Sequence, residues 1–488
     1  MNTIQRIAKN TFFLLTSNVI GLVLSFFFLM YTTRYLGSDN YGVLSFSIAF
    51  ASITIIFADI GIGSVILRDI ARDKALTQTY LGNSILLKII LAIITLMSTA
   101  ALGYAFNYPS ATMRVVLIIT LSLIFVSFSG IINSIIQAFE VMEYISLGNI
   151  IYNLTMLLCV LLAIFLKLDV QGFAYVYLIS SIILLGYYVV IALRKIPLPK
   201  WDINLDLWKY LVNEAIPFGL SSVFVRVYYY IDTIMISMII SNPNEVMGWY
   251  TAAYRLVLIL AVIPTTLLGA LYPIMSNYYV TSDKYLSFMF ERSFKYLMTL
   301  AIPIGVGTTI LANKIIFFIY GSDYAASTIA LQILVWSEVL IFLNVVFGNL
   351  LNSTNRQIVV TKQTMFAAGL NIVLNLVLIP RYSYIGASVA TVSTELFAFF
   401  FLLYFVSKEG YRLPKYMILH LSKILFACFI MVLFIELFNN LNILLLIFLA
   451  SIIYFVIIFL IGITDDVDIQ LAKQLMGGIK IHDRGKET

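Results

Sequence analysis

Charge is scarce in this chain. Asp, Glu, Lys and Arg make up 11% of 488 residues, where a soluble chain carries about 25%. That excludes a soluble globular enzyme, a coiled coil and a disordered protein. Cysteine is nearly absent. Cys159 and Cys428 both sit in apolar runs and read as packing residues, with no disulfide framework or metal spacing. The two histidines, His420 and His482, are far apart and form no ligand set. Long polar loops are also missing; the longest is 194–211. A membrane glycan polymerase or ligase would carry a larger extramembrane loop with clustered acids. There is no nucleotide-binding loop of the Walker A type. Residues 11–33 are too long for a signal-peptide core and lack a small-residue cleavage site, so no removable leader is expected.

What remains is apolar. Hydrophobic types reach 61% and the mean hydropathy is +1.00. The excess runs from residue 11 to about residue 462. The expected fold is an all-α polytopic membrane protein with fourteen spans: 11–33, 41–67, 81–105, 113–139, 144–166, 170–193, 212–240, 246–276, 285–312, 325–353, 358–379, 384–407, 416–438 and 442–462. Each can cross ~30 Å of hydrocarbon. Lys and Arg set the orientation, because basic loops stay cytoplasmic. With the N-terminus inside, four of the 30 Lys and Arg fall outside (Arg34, Lys167, Lys314, Arg381) and five within spans (Lys88, Arg114, Arg226, Arg255, Lys423). The rest fall inside. Both termini are therefore expected in the cytoplasm and the chain in the cell membrane. The net charge of +6 reflects these helix ends, so no nucleic-acid partner is expected.

The chain repeats itself. Asn149-Ile-Ile-Tyr-Asn-Leu154 parallels Asn371-Ile-Val-Leu-Asn-Leu376. Gln171-Gly172-Phe173-Ala174 parallels Ile385-Gly386-Ala387-Ser388, and Tyr41-Gly42 parallels Met247-Gly248. The offsets are 222, 214 and 206 residues. Six spans repeat as six in the same orientation, which implies two lobes about an axis along the membrane normal, with a central cavity between them. The expected organisation is a first lobe over 1–195, a linker over 196–211, a second lobe over 212–407, two extra spans over 408–464, and a cytoplasmic tail over 465–488.

Three stretches resemble a known family. Arg34-Tyr-Leu-Gly-Ser-Asp-Asn-Tyr-Gly-Val-Leu44, Asp59-Ile-Gly-Ile-Gly-Ser-Val-Ile-Leu-Arg68 and Asn371-Ile-Val-Leu-Asn-Leu-Val-Leu-Ile-Pro-Arg-Tyr-Ser-Tyr-Ile-Gly-Ala387 resemble polysaccharide and oligosaccharide-lipid flippases. That superfamily also holds multidrug extruders and the lipid II flippase. The resemblance implies alternating access and a lipid-diphosphate-linked glycan as cargo. Membrane lipid and glycan-assembly enzymes would be its partners. It implies no catalytic residue and no cofactor beyond Na⁺ or H⁺ as a coupling ion. A multidrug exporter of the same fold is the competing reading, and a glycan polymerase or ligase a more distant one.

Ionisable groups inside spans mark function or a partner. Arg226 and Arg255 lie at similar depth. Arg226 shares a face with Ser222, Tyr230, Thr233 and Ser237, and Arg255 with Thr251. A guanidinium stays charged and grips phosphate oxygens in pairs, so Arg226, Arg255, Tyr230, Thr251 and the mid-span Glu338 are the candidate cargo residues. An Asp232–Arg255 ion pair is the structural alternative. The lipid II flippases have a cavity arginine on helix eight, like Arg255, but also arginines on helices one and two that this sequence lacks at mid-membrane. Asp232, Asn371 and Thr391 fall at one depth on spans seven, eleven and twelve, with Asn375 one turn above Asn371 on the same face. Some lipid II flippases place a sodium site on those helices; Asn375 stands where those relatives can have an acid, and Glu395 could compensate. Interhelical hydrogen bonding is the alternative there. Asp59 and Lys88 read as a buried ion pair, with a proton or gating role as the alternative. Glu338 is also a candidate proton-linked acid. The heptads Thr11-Asn18-Ser25-Thr32 and Ser45-Ser52-Asp59 read as packing seams. Gly61, Gly63 and Pro264 are candidate bends.

Overall fold

The structure is a computed structural model that describes residues 3–463, apart from the side chains of residues 3–8, Thr11 and Ser221. The tail expected over 465–488, with Lys473, Lys480, Arg484 and Lys486, lies outside the described residues. Fourteen α-helices follow in order, with no strand among the described residues.

Twelve helical stretches are long and apolar enough to cross a membrane. Two are too long for one crossing. α1 (Thr3–Thr54) and α12 (Gln357–Lys408) have 52 residues each. A straight helix of that length would reach about 78 Å, more than twice the hydrocarbon thickness. α1 turns at Gly37 (φ 69°, ψ 176°). α12 turns at Ser383 (φ 53°, ψ −136°), just past Pro380. There the chain doubles back, since a Cβ on Gly386 would meet the Leu378 carbonyl oxygen at 2.4 Å. Counting each as two crossings yields the fourteen that the apolar runs imply.

Two spans are not the continuous helices expected. The second crossing stops at Thr54, passes through a 3₁₀ turn at Ile55–Phe57, and resumes as α2 (Ile62–Arg72). Gly61, at φ 95°, allows the break. The freed carbonyl of Ala58 accepts from Ser127 Oγ at 3.4 Å, as lipid-embedded backbone requires. The eighth crossing is split into α8 (Pro243–Leu260) and α9 (Val262–Thr281). Pro264 has no N–H to offer the Leu260 carbonyl, and its ring crowds that oxygen.

The remaining helices follow the sequence: α3 (Thr77–Ala105), α4 (Ser110–Ala138), α5 (Met142–Phe165), α6 (Val170–Lys195), α7 (Leu205–Ile239), α10 (Asp283–Ile319), α11 (Ser327–Ser353), α13 (Tyr416–Leu437) and α14 (Ile443–Leu460). The segment read as a linker over 196–211 is non-helical only to Asn204, whose side chain caps α7 by accepting from Leu207 N at 3.0 Å. Asn83 of α3 holds it down, accepting from Asn204 N and Trp208 Nε1, each at 2.9 Å.

Three large apolar cores result. One joins α2, α3, α4 and α6 to the start of α7 on the linker face, around Ile66, Ile135 and Leu211. A second lies toward the opposite face and draws on both lobes, around Leu44, Tyr250, Ile316 and Leu334. The third packs α13 and α14 onto α10, around Phe290, Cys428 and Tyr454.

Candidate functional site

The broken second crossing sets the first cluster. Asp59 sits in the gap between Phe57 and Ile62. Its carboxylate lies 3.6 Å from Lys88 Nζ on α3 and 3.5 Å from Arg226 Nη2 on α7. Lys88 is buried and also donates to Ser127 O at 2.6 Å and Ser127 Oγ at 2.5 Å. Asp59 and Arg226 keep 38% and 31% of their side-chain surface, so two members of this ion triad are partly accessible while Lys88 is buried. Asp59 therefore has two cationic partners, and the second comes from the other lobe. Arg226, read from the sequence as a free cargo ligand, is ion-paired in this conformer.

Arg255 differs. Among the described residues no carboxylate lies within ion-pair distance of it. Its electrostatic neighbours are the hydroxyls of Tyr41, Tyr177, Tyr230 and Tyr320. Tyr41 and Tyr177 belong to the first lobe, Tyr230 to α7, and Tyr320 follows α10. Arg255 thus stands at the seam between lobes, among groups that can donate to an anion. Thr251, one turn earlier, has a buried hydroxyl with no partner.

Asp232 does not pair with Arg255. It accepts from Tyr250 Oη at 2.5 Å, Asn375 Nδ2 at 2.5 Å and Thr391 Oγ1 at 2.9 Å. Asn375 Nδ2 also reaches Asn371 Oδ1 at 3.0 Å. All five side chains are buried, and Asn375 Oδ1 has no partner. Asn375 turns its amide NH2 toward both Asp232 and Asn371, so in this conformer the cluster is a hydrogen-bonded network linking α7, α8 and α12, the alternative named from the sequence. Tyr250 of α8 was missed from the sequence, where a tyrosine looks like any other apolar-belt residue.

Glu395 belongs elsewhere. It accepts from Tyr228 Oη and from Asn344 Nδ2 at 2.8 Å. Glu338 is buried in the second lobe at 1% exposure.

The linker face carries a polar latch that sequence reasoning also missed. Arg68 donates to Glu214 at 2.8 Å, to Asp69 at 2.8 Å and to Tyr210 at 3.0 Å. Burial alone would raise the Asp69 carboxyl; hydrogen bonds from Arg68, Tyr210 and Tyr80 outweigh it and hold it below the usual carboxylate range. Beside the latch, Gly61 and Gly219 let α2 and α7 touch at the backbone, since a Cβ on Gly219 would lie 2.4 Å from Ile60 O.

With this geometry in place, comparison with known families is direct. The family model described as "Polysaccharide biosynthesis protein" matches residues 7–279, more than half of the chain. The chain belongs to the polysaccharide biosynthesis protein family. A second model, MatE, matches residues 217–377 of this family member. A relative from Haloferax volcanii, named "Probable low-salt glycan biosynthesis flippase Agl15", is 23% identical over 388 residues, 79% of this chain and 80% of its own. Among solved structures, the inward closed conformation of the lipid II flippase MurJ superposes with a TM-score of 0.73 at 16% identity, covering 92% of this chain and 98% of that one. An inward-facing multidrug resistance transporter of the MATE family and MOP superfamily superposes at 0.65 and 15% identity, covering 80% and 95%. These similarities establish the transporter fold. Arg255 falls inside both matched regions of the polysaccharide biosynthesis fold. Asp232 does too, whereas Thr391 lies beyond them.

Proposed function

We propose that this protein is a flippase that carries a polyprenyl- or dolichyl-diphosphate-linked oligosaccharide across the cell membrane by alternating access. The observation that carries the reading is Arg255, a guanidinium without a carboxylate at the seam of two lobes. A diphosphate supplies the charge that Arg255 lacks. The names of the Haloferax relative and of MurJ support the cargo class.

The headgroup would pass between the lobes while the lipid tail stays in the bilayer. A groove of about 350 Å³ between α10, α13 and α14, lined by Leu300, Ile304, Met431 and Phe455, suits such a tail. Arrival of the diphosphate at Arg255 would also compete for Arg226, now held by Asp59 across the seam. Cargo then shifts the lobe equilibrium through its different affinity for the two states. Na⁺, as a co-transported ion, would be held by Asp232, Asn371, Asn375, Thr391 and Tyr250. Both termini lie in the cytoplasm on this reading, by the Lys and Arg distribution, and the linker face is cytoplasmic.

The multidrug-exporter reading draws on the MATE structures of the same fold. Organic cations would want an acid where this chain has Arg255. The test is a vesicle assay with a fluorescent diphosphate-linked glycan and, in parallel, a fluorescent organic cation. Glycan crossing that is lost in Arg226→Ala/Arg255→Ala with intact folding supports the flippase. Movement of the cation alone supports the exporter.

A further inference from the structure

We propose that Glu338 of α11 and Glu395 of α12 form a proton-binding site in the second lobe, separate from the Asp232 cluster. The inference rests on the transporter reading only for what the proton would drive.

Glu338 is 1% exposed, and neither of its carboxylate oxygens has a hydrogen-bond partner. No Lys or Arg lies within ion-pair distance of either glutamate among the described residues. The ionisable groups facing Glu338 are Glu395, Tyr229 of α7 and Tyr254 of α8. None of them can be a cation. An isolated carboxylate in such a place costs many kcal/mol and takes up a proton instead. Two carboxylates sharing one buried site do not both ionise.

The hydrogen bonds assign the roles. Glu395 receives two donors, Tyr228 Oη and Asn344 Nδ2, and these stabilise an anion. Glu338 receives none, so the proton sits on Glu338. A cavity of about 630 Å³, lined by Glu395, Asn344, Asn349, Asn352 and Gln363, extends from Glu395 toward the linker face, with Glu338 outside its lining. It gives water a route to Glu395, through which a proton would pass to or from Glu338. Departure of the proton by way of Glu395 would leave two buried, mutually repelling anions in the present conformer. The second lobe must then rearrange, which ties proton release to lobe movement.

The experiment is an infrared titration of the full chain in lipid nanodiscs, following the carbonyl stretch of protonated carboxyls in potassium and in sodium buffers. At neutral pH the wild type is expected to show a protonated carboxyl that Glu338→Gln removes and Asp232→Asn leaves in place. Glutamine mimics the neutral acid, and a thermal melt checks that the variant folds. A band unchanged in Glu338→Gln overturns the site. A band displaced by sodium in the wild type overturns it as well, because the pair would then hold the metal. In the vesicle assay, an inward-directed and an outward-directed pH gradient should change wild-type flipping rates at least about fivefold relative to each other, with the ratio falling to one in Glu338→Gln. An infrared band with no glycan crossing at all would keep the proton site and sink the flippase reading.

Discussion

Gly42 and Gly248 make the same contact from opposite sides of the seam. A Cβ on Gly42 would lie 1.7 Å from Asn244 O, and a Cβ on Gly248 would lie 2.1 Å from Ser38 O. Gly42 and Gly248 are 206 residues apart, as are Ser38 and Asn244. The contact is therefore reciprocal, as in a two-fold interface, and it closes the face opposite the linker.

No larger residue fits at either glycine without parting the two backbones. Gly42→Leu or Gly248→Leu should hold that face open. Spin labels at the exposed Asp39 and Glu245 should show one short distance in the wild type and a longer one in either variant. An unchanged distance would show that this contact is not the gate.

Removing Asp59 leaves Lys88 and Arg226 facing each other without an anion. Breaking a buried pair costs about 3–5 kcal/mol; Asp59 keeps 38% of its surface, so Asp59→Asn should cost roughly half of that. Adding Lys88→Met should restore much of the loss. A chemical or thermal melt in detergent reads both.

The length and apolarity of each crossing were legible because lipid demands them. Depth was legible too, since a fixed rise turns sequence position into height. That is how Asp232, Asn371 and Thr391 fell at one level, with Asn375 a turn away. Rotation about each helix axis is not encoded in that way. It decided that Asp232 turns to Tyr250 instead of Arg255, that Arg226 shares Asp59 with Lys88, and that Glu395 turns toward Asn344. The breaks at residues 58–61 and 261 carried a signal in Gly61 and Pro264, but a glycine or proline in a membrane helix bends it more often than it interrupts it.

The Arg68–Glu214 pair is partly exposed, where such pairs contribute about 0.2–1 kcal/mol. Glu214→Gln should therefore shift the lobe equilibrium by no more than about fivefold toward opening at the linker face. Arg68→Glu with Glu214→Arg should return it. Double electron resonance distances across α2 and α7 measure both.

Sodium should raise the melting temperature of the wild type and not that of Asp232→Asn or Thr391→Ala. At a hundredfold excess over the dissociation constant the gain is about 2.7 kcal/mol. Equal stabilisation of all three proteins would place the ion elsewhere.

The most direct test is Arg255 itself. In vesicles, flipping of a fluorescent polyprenyl-diphosphate glycan should fall at least about tenfold in Arg255→Ala, as loss of one charged hydrogen-bonding partner implies, with partial recovery in Arg255→Lys. Undiminished flipping by a folded Arg255→Ala protein would contradict the account.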